Sequence, residues 1–98
     1  MTRTEVLTKF LNRQSAHTPF RDIPDGYYIY RGCTLSTNGT ILVNYKTEIA
    51  YFTSNIHGVI LHINKSKYSI TTSHIQAELL RLATAQCKNL TITFYEGK

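Results

Sequence analysis

The chain has 98 residues, and the side chains with which it can do chemistry are four histidines, two cysteines and six carboxylates. His17, His57, His62 and His74 contain no helical i,i+4 pair. None joins a cysteine or a carboxylate at a spacing that grips a metal ion. His57 and His62 flank one short apolar run and, five apart, point to opposite faces of it. Asp22 and Asp25 are close together but sit beside Pro24 and Gly26, where turn formation explains them better than acid–base work. There is no Gly-rich phosphate loop and no Gly-x-Ser-x-Gly elbow. A cysteine nucleophile needs a histidine beside it in space. Cys33 in a strand and Cys87 at a helix end read as packing residues. The expectation is a protein that is not an enzyme and holds no metal or cofactor. A small ribonuclease built from scattered Arg, His and Tyr is the least favoured alternative.

Two segments have the composition of a binding surface. The first is Lys65-Ser66-Lys67-Tyr68-Ser69-Ile70-Thr71-Thr72-Ser73-His74, which precedes an expected helix. A helix start offers unpaired amides and partial positive charge to a phosphate or carboxylate. Lys65 and Lys67 add charge, and Tyr68 can stack on a base. The simpler reading, which we prefer, is that Thr71, Thr72 and Ser73 cap the helix while the lysines solvate a turn. The second is a tyrosine-rich sheet face. Tyr28 and Tyr30 leave one side of their strand, and Tyr27, Ile29 and Arg31 the other. Tyr45 and Tyr51 belong to neighbouring strands, with Lys46 nearby. Rings and cations of this kind suit single-stranded nucleic acid or the centre of a protein interface. Against this, tyrosine favours half-buried strands for packing reasons alone.

These residues must be held by one domain, because 98 residues leave no room for two. Hydrophobic residues make up 42% and charged residues 17%, enough apolar material for a core and too little charge for a disordered chain. The net charge of +5 and pI near 9.4 favour an acidic partner. The basic residues are nevertheless spread from Arg3 to Lys98, and Lys65 and Lys67 alone lie close together. No run is long enough to cross a membrane as a helix. The N-terminus has no apolar signal core, so a cytoplasmic protein with free thiols is expected. The three Asn-x-Ser/Thr sequons then carry no weight.

The elements follow from periodicity and punctuation. Thr2 to Gln14 reads as a helix with Val6, Leu7, Phe10 and Leu11 on one arc and a Thr2–Glu5 capping box. Ser15 to Gly26 holds both prolines and reads as a loop. Tyr27–Leu35, Thr40–Tyr45, Thr47–Thr53 and Gly58–Ile63 read as strands of an antiparallel meander. Asn38-Gly39 marks the first hairpin, since both residues tolerate positive φ. A second helix starts at Thr72 or Ser73, with Ser73–Gln76 at capping-box spacing and Ile75, Leu79, Leu82 and Ala83 inward. It stops near Lys88-Asn89. The last strand alternates Leu90, Ile92, Phe94 against Thr91, Thr93, Tyr95. The expected fold is α+β: an antiparallel sheet of about five strands with two helices, in the order α-β-β-β-β-α-β.

Tyr45-Lys46-Thr47-Glu48-Ile49-Ala50, followed by Lys67-Tyr68-Ser69-Ile70-Thr71-Thr72-Ser73 and Gln76, resembles a pattern in small uncharacterised bacteriophage proteins. In those, a Tyr-x-Thr-x-Ile-Ala strand precedes a Lys-Tyr-Ser-x-Thr-Thr-Ser segment and a helix. The likeness covers about a third of the chain. It assigns no residue a role; it implies a phage product acting inside a bacterial cell. The expected function is therefore an accessory protein that binds a host protein or nucleoprotein complex, such as a defence nuclease it inhibits in the anti-CRISPR manner. Tyr28, Tyr30, Arg31, Tyr45 and Tyr51 would make the contact. The alternative is a module for single-stranded RNA or DNA using Lys65, Lys67, Tyr68, Arg31 and Lys46. A monomer and a homodimer are both compatible with a small sheet that has edges.

Overall fold

The structure is a computed structural model that describes residues 2–25, 28–45, 47–66, 70–86 and 90–96. Helix α1 (Arg3–Leu11) opens on the expected capping box. The Thr2 hydroxyl accepts from the Glu5 amide and the Glu5 carboxylate accepts from the Thr2 amide. Val6, Leu7, Phe10 and Leu11 are all buried. Strands β1 (Ser15–His17), β2 (Arg21–Asp25), β3 (Tyr28–Gly32), β4 (Leu35–Asn38), β5 (Ile41–Asn44), β6 (Thr47–Asn55) and β7 (Gly58–Asn64) follow. Helix α2 (Ile70–Gln86) and strand β8 (Thr91–Tyr95) complete the chain.

The α+β class holds, but the sheet differs from expectation in three ways. It has six strands, in the order β1-β4-β5-β6-β7-β8, and a separate β2-β3 ribbon stands beside it. It is mixed: β8 runs parallel to β7, because the helix between them carries the chain back across the layer before it re-enters. The proline segment also forms strands. His17 faces Ser36 and Arg21 faces Gly32, so β1-β4 and β2-β3 share one register and form one long hairpin interrupted near Pro19. Proline lacks the amide that would continue the ladder. At the break the Thr18 hydroxyl accepts from the Thr34 and Leu35 amides at 3.1 and 3.2 Å. The expected strand Tyr27–Leu35 is thus two strands, β3 in the ribbon and β4 in the sheet.

Both helices lie on one face. Phe10 of α1 packs on Phe52 of β6 with ring centroids 4.8 Å apart. The Asn44 amide of β5 donates to the Thr72 hydroxyl of α2 at 3.0 Å. The Thr4 hydroxyl of α1 donates to Glu78 of α2 at 2.9 Å. Between them lie Leu42, Ile49, Ala50, Leu61, Ile63, Ile75 and Leu79, all buried. Helix α2 starts at Ile70, earlier than expected, so Thr71, Thr72 and Ser73 lie within its first turn rather than before it. Its end at Lys88-Asn89 and the position of Cys87 fall outside the described residues. Cys33, between β3 and β4, is a half-buried free thiol. No helix among the described residues is long and apolar enough to cross a membrane.

Candidate functional site

The other face of the sheet carries no helix. Strand alternation and register assign it Ser36 and Asn38 of β4, Ile41 and Val43 of β5, Glu48, Tyr51 and Thr53 of β6, Ile60 and His62 of β7, and Thr91, Thr93 and Tyr95 of β8. A bulge in β6 opposite Leu42 and Val43 lets Ile49 and Ala50 both point to the core and turns Glu48 outward. Asn64, itself buried, supports this bend: its amide donates to the Glu48 carbonyl at 2.9 Å.

A cluster of rings spans β6, β7 and the edge strand β8 on this face. Tyr51 and His62 are cross-strand partners and stack at 4.5 Å with planes 14° apart. Tyr95 leans on Tyr51 at 5.4 Å, tilted by 54°. The polar ends of His62 and Tyr95 are held by hydrogen bonds. The Thr53 hydroxyl lies 2.7 Å from His62 Nε2, and the Thr93 hydroxyl 3.0 Å from Nδ1. A neutral imidazole has one donor and one acceptor nitrogen, so one threonine donates to the ring and the other accepts from it. The Tyr95 hydroxyl donates to Glu48 at 2.7 Å. With a threonine hydroxyl at each ring nitrogen, the His62 plane is held in place against Tyr51.

Among the described residues, charge is distributed unevenly about the sheet. Arg3, Lys9 and Arg81 stand on the two helices. Arg13 lies over the Phe52 ring at 4.6 Å, also on the helical side. The open face carries Glu48, and Lys65 at the end of β7 is paired with Glu96 at 3.8 Å. No group of His, Cys, Asp and Glu suited to a metal ion occurs among the described residues.

Comparison with protein families, with curated proteins and with solved structures finds no match to this chain.

The residues singled out in the sequence are scattered by the fold. Tyr51 alone joins the ring cluster. Tyr28, Tyr30 and Arg31 are on β3, in the separate ribbon. Tyr45 follows β5 in a left-handed conformation (φ 57°) and is exposed. It borders a pocket of about 210 Å³ with Arg3, Thr18, Thr34, Asn44 and Thr71. Lys65 is in its ion pair, and Lys46, Lys67 and Tyr68 lie outside the described residues. The members that sequence reading missed are His62, Tyr95, Thr53, Thr93 and Glu48. The alternation of the last strand already set Thr93 and Tyr95 on one face. What it lacked was the neighbour: β8 borders β7 in parallel, which brings Tyr95 within reach of Tyr51.

Proposed function

We propose that the protein binds a macromolecular partner, a protein, on the helix-free face of its sheet, with Tyr51, His62 and Tyr95 at the centre of contact. The observation that carries this reading is the pre-ordering of the cluster. Its three rings pack on one another, and the polar ends of His62 and Tyr95 are hydrogen-bonded within the chain, so little side-chain freedom is lost on binding. Ile41, Val43 and Ile60 beside them supply apolar area, and Thr91 supplies a polar margin, the usual anatomy of a protein interface. A protein suits this face better than nucleic acid. Among the described residues, Glu48 would stand against phosphates, Lys65 has Glu96 beside it, and Arg3, Lys9, Arg13 and Arg81 stand on the other side of the sheet. The resemblance to small phage proteins gives the setting: a host cell, with a defence nuclease as the class of target.

The test uses the purified protein as bait in bacterial lysate, with Tyr51→Ala and Tyr95→Ala as controls whose fold is checked by circular dichroism. The expected result is a host protein retained by the wild type and lost by roughly tenfold or more in both variants. The same protein is titrated with labelled single-stranded RNA and DNA. Binding that survives physiological salt and ignores Tyr51→Ala would overturn the reading in favour of a nucleic-acid module working through the helical side or the ribbon.

A further inference from the structure

The two edges of the six-stranded sheet are unlike. β1 is three residues long, and short edge strands resist pairing. β8 is five residues long, runs against β7 without a register shift, and from Thr91 to Tyr95 has no charge and no proline. Those are the usual devices that stop an edge from acquiring another strand, and β8 has none of them. Among the described residues it pairs with β7 alone. The direction of its backbone groups can be read from one bond: the Tyr95 carbonyl accepts from the Lys65 amide at 2.8 Å, on the β7 side. Alternate residues of a strand turn their amide and carbonyl to opposite edges. Thr91 and Thr93 therefore face β7 with Tyr95, while Ile92 and Phe94 present theirs outward. Their side chains lie on the helical face, where Ile92 packs partly against the core and Phe94 is 52% exposed.

We propose that β8 pairs antiparallel with β8 of a second copy, about a two-fold axis at Thr93, joining two sheets into one. In this register Ile92 faces Phe94 of the second copy, and Phe94 faces its Ile92. All of these residues turn their amide and carbonyl toward the axis, so each pair exchanges both its hydrogen bonds, with Thr93 opposite Thr93 in the wide pair between them. The strand is its own complement: the exposed Phe94 ring lands on Ile92 on the helical face, and Thr91 meets Tyr95 on the other. No like charges meet within the strand, and Lys65 with Glu96 at its end neutralise each other. A pair of five-residue strands buries less than the ~1,200 Å² of a standard interface, so the dimer is a weak one in exchange with monomer. The net charge of +5 on each copy opposes it, and added salt strengthens it by screening. The dimer sets two Tyr51–His62–Tyr95 clusters on one continuous surface.

Sedimentation of the protein alone, from micromolar to millimolar concentration and at low and high salt, tests association. It does so independently of partner binding, so failure of one reading leaves the other standing. The expected result is a concentration-dependent dimer, tightened by salt and lost in Phe94→Lys. Register is tested in a Cys33→Ser, Cys87→Ser background. Thr93→Cys should cross-link under mild oxidation at least about tenfold faster than Phe94→Cys, because a wide pair puts its Cα atoms within disulfide reach. A protein that stays monomeric throughout overturns the proposal and leaves the edge to a strand from a different chain. A dimer indifferent to Phe94→Lys, with no preference for Thr93→Cys, overturns it in favour of another surface.

Discussion

Single side chains decide where the elements of this small fold begin and bend, and a shared spacing does not guarantee a shared role. Thr2–Glu5 and Ser73–Gln76 have the same capping-box spacing. The first closes as read. The second does not, since α2 has already begun at Ile70, and the Gln76 amide donates instead to the Asn64 and Ser66 carbonyls. Removing the working cap, Thr2→Ala, should cost about 1 kcal/mol in denaturant titration. The Thr2 amide and hydroxyl hold the Glu5 carboxyl below its ordinary value of 4.5. A carboxyl whose folded value is depressed adds stability above its unfolded value and loses it as pH falls through the folded one. The stability difference between wild type and Glu5→Ala should therefore be constant near neutrality and shrink below pH 4.5. Asn64 is the buried counterpart. Its amide holds the Glu48 carbonyl and its oxygen accepts from the Ser66 amide. Asn64→Leu strands both groups and should lose about 1–3 kcal/mol in denaturant titration. Wild-type stability in that variant would refute the bulge-support role.

At the level of elements, the parts fixed by local chemistry were legible and the parts fixed by neighbours were not. Both helices and β5, β6, β7 and β8 follow from period and punctuation, to within a few residues. Asn38-Gly39 does mark a hairpin, by a division of labour: Gly39 takes φ 94°, and the Asn38 side chain accepts from the Thr40 and Ile41 amides. The ribbon was hidden because prolines argue against strands. Pro24 escapes that rule by lying in a two-stranded ladder, where every strand is an edge. The ring cluster was hidden for the same reason as the parallel β8: a crossover pairs strands distant in sequence. Gly39 and Gly58 make a controlled comparison of turns. Both have positive φ, 94° and 127°, but a Cβ on Gly39 would lie 2.7 Å from the Arg13 carbonyl, whereas one on Gly58 meets nothing within 4 Å. Gly39→Ala should therefore lose more stability than Gly58→Ala, by about 1–3 kcal/mol in thermal or chemical unfolding. Equal losses would mean that backbone strain alone governs both.

On the scale of the whole molecule, a sheet coated by helices on one side leaves its aromatic cluster on the other, and a long hairpin runs past the sheet as an arm. Among the residues whose burial is described, the buried apolar residues that form the core come from the helices and the six-stranded sheet. Among the described residues β2 and β3 pair with each other alone. At 45 × 26 × 22 Å the molecule is elongated, as a body with such an extension would be. The separate pairing of the arm predicts that it can be removed without loss of folding. Its base is already closed, since Thr18 and Leu35 are bonded through the backbone and Thr18 and Thr34 through their hydroxyls at 3.0 Å. Replacing residues 19–34 by Asn-Gly, which keeps Thr18 opposite Leu35, should leave a protein that unfolds in one cooperative step, within roughly 5 °C of the parent. Loss of cooperative unfolding would mean that the arm completes the core. The same variant separates the two candidate surfaces. If it keeps the partner while Tyr51→Ala loses it, the open sheet face is the site. If it folds but no longer binds, Tyr28, Tyr30 and Arg31 on the arm make the contact, and the stacked rings of the sheet serve to hold β6, β7 and β8 together.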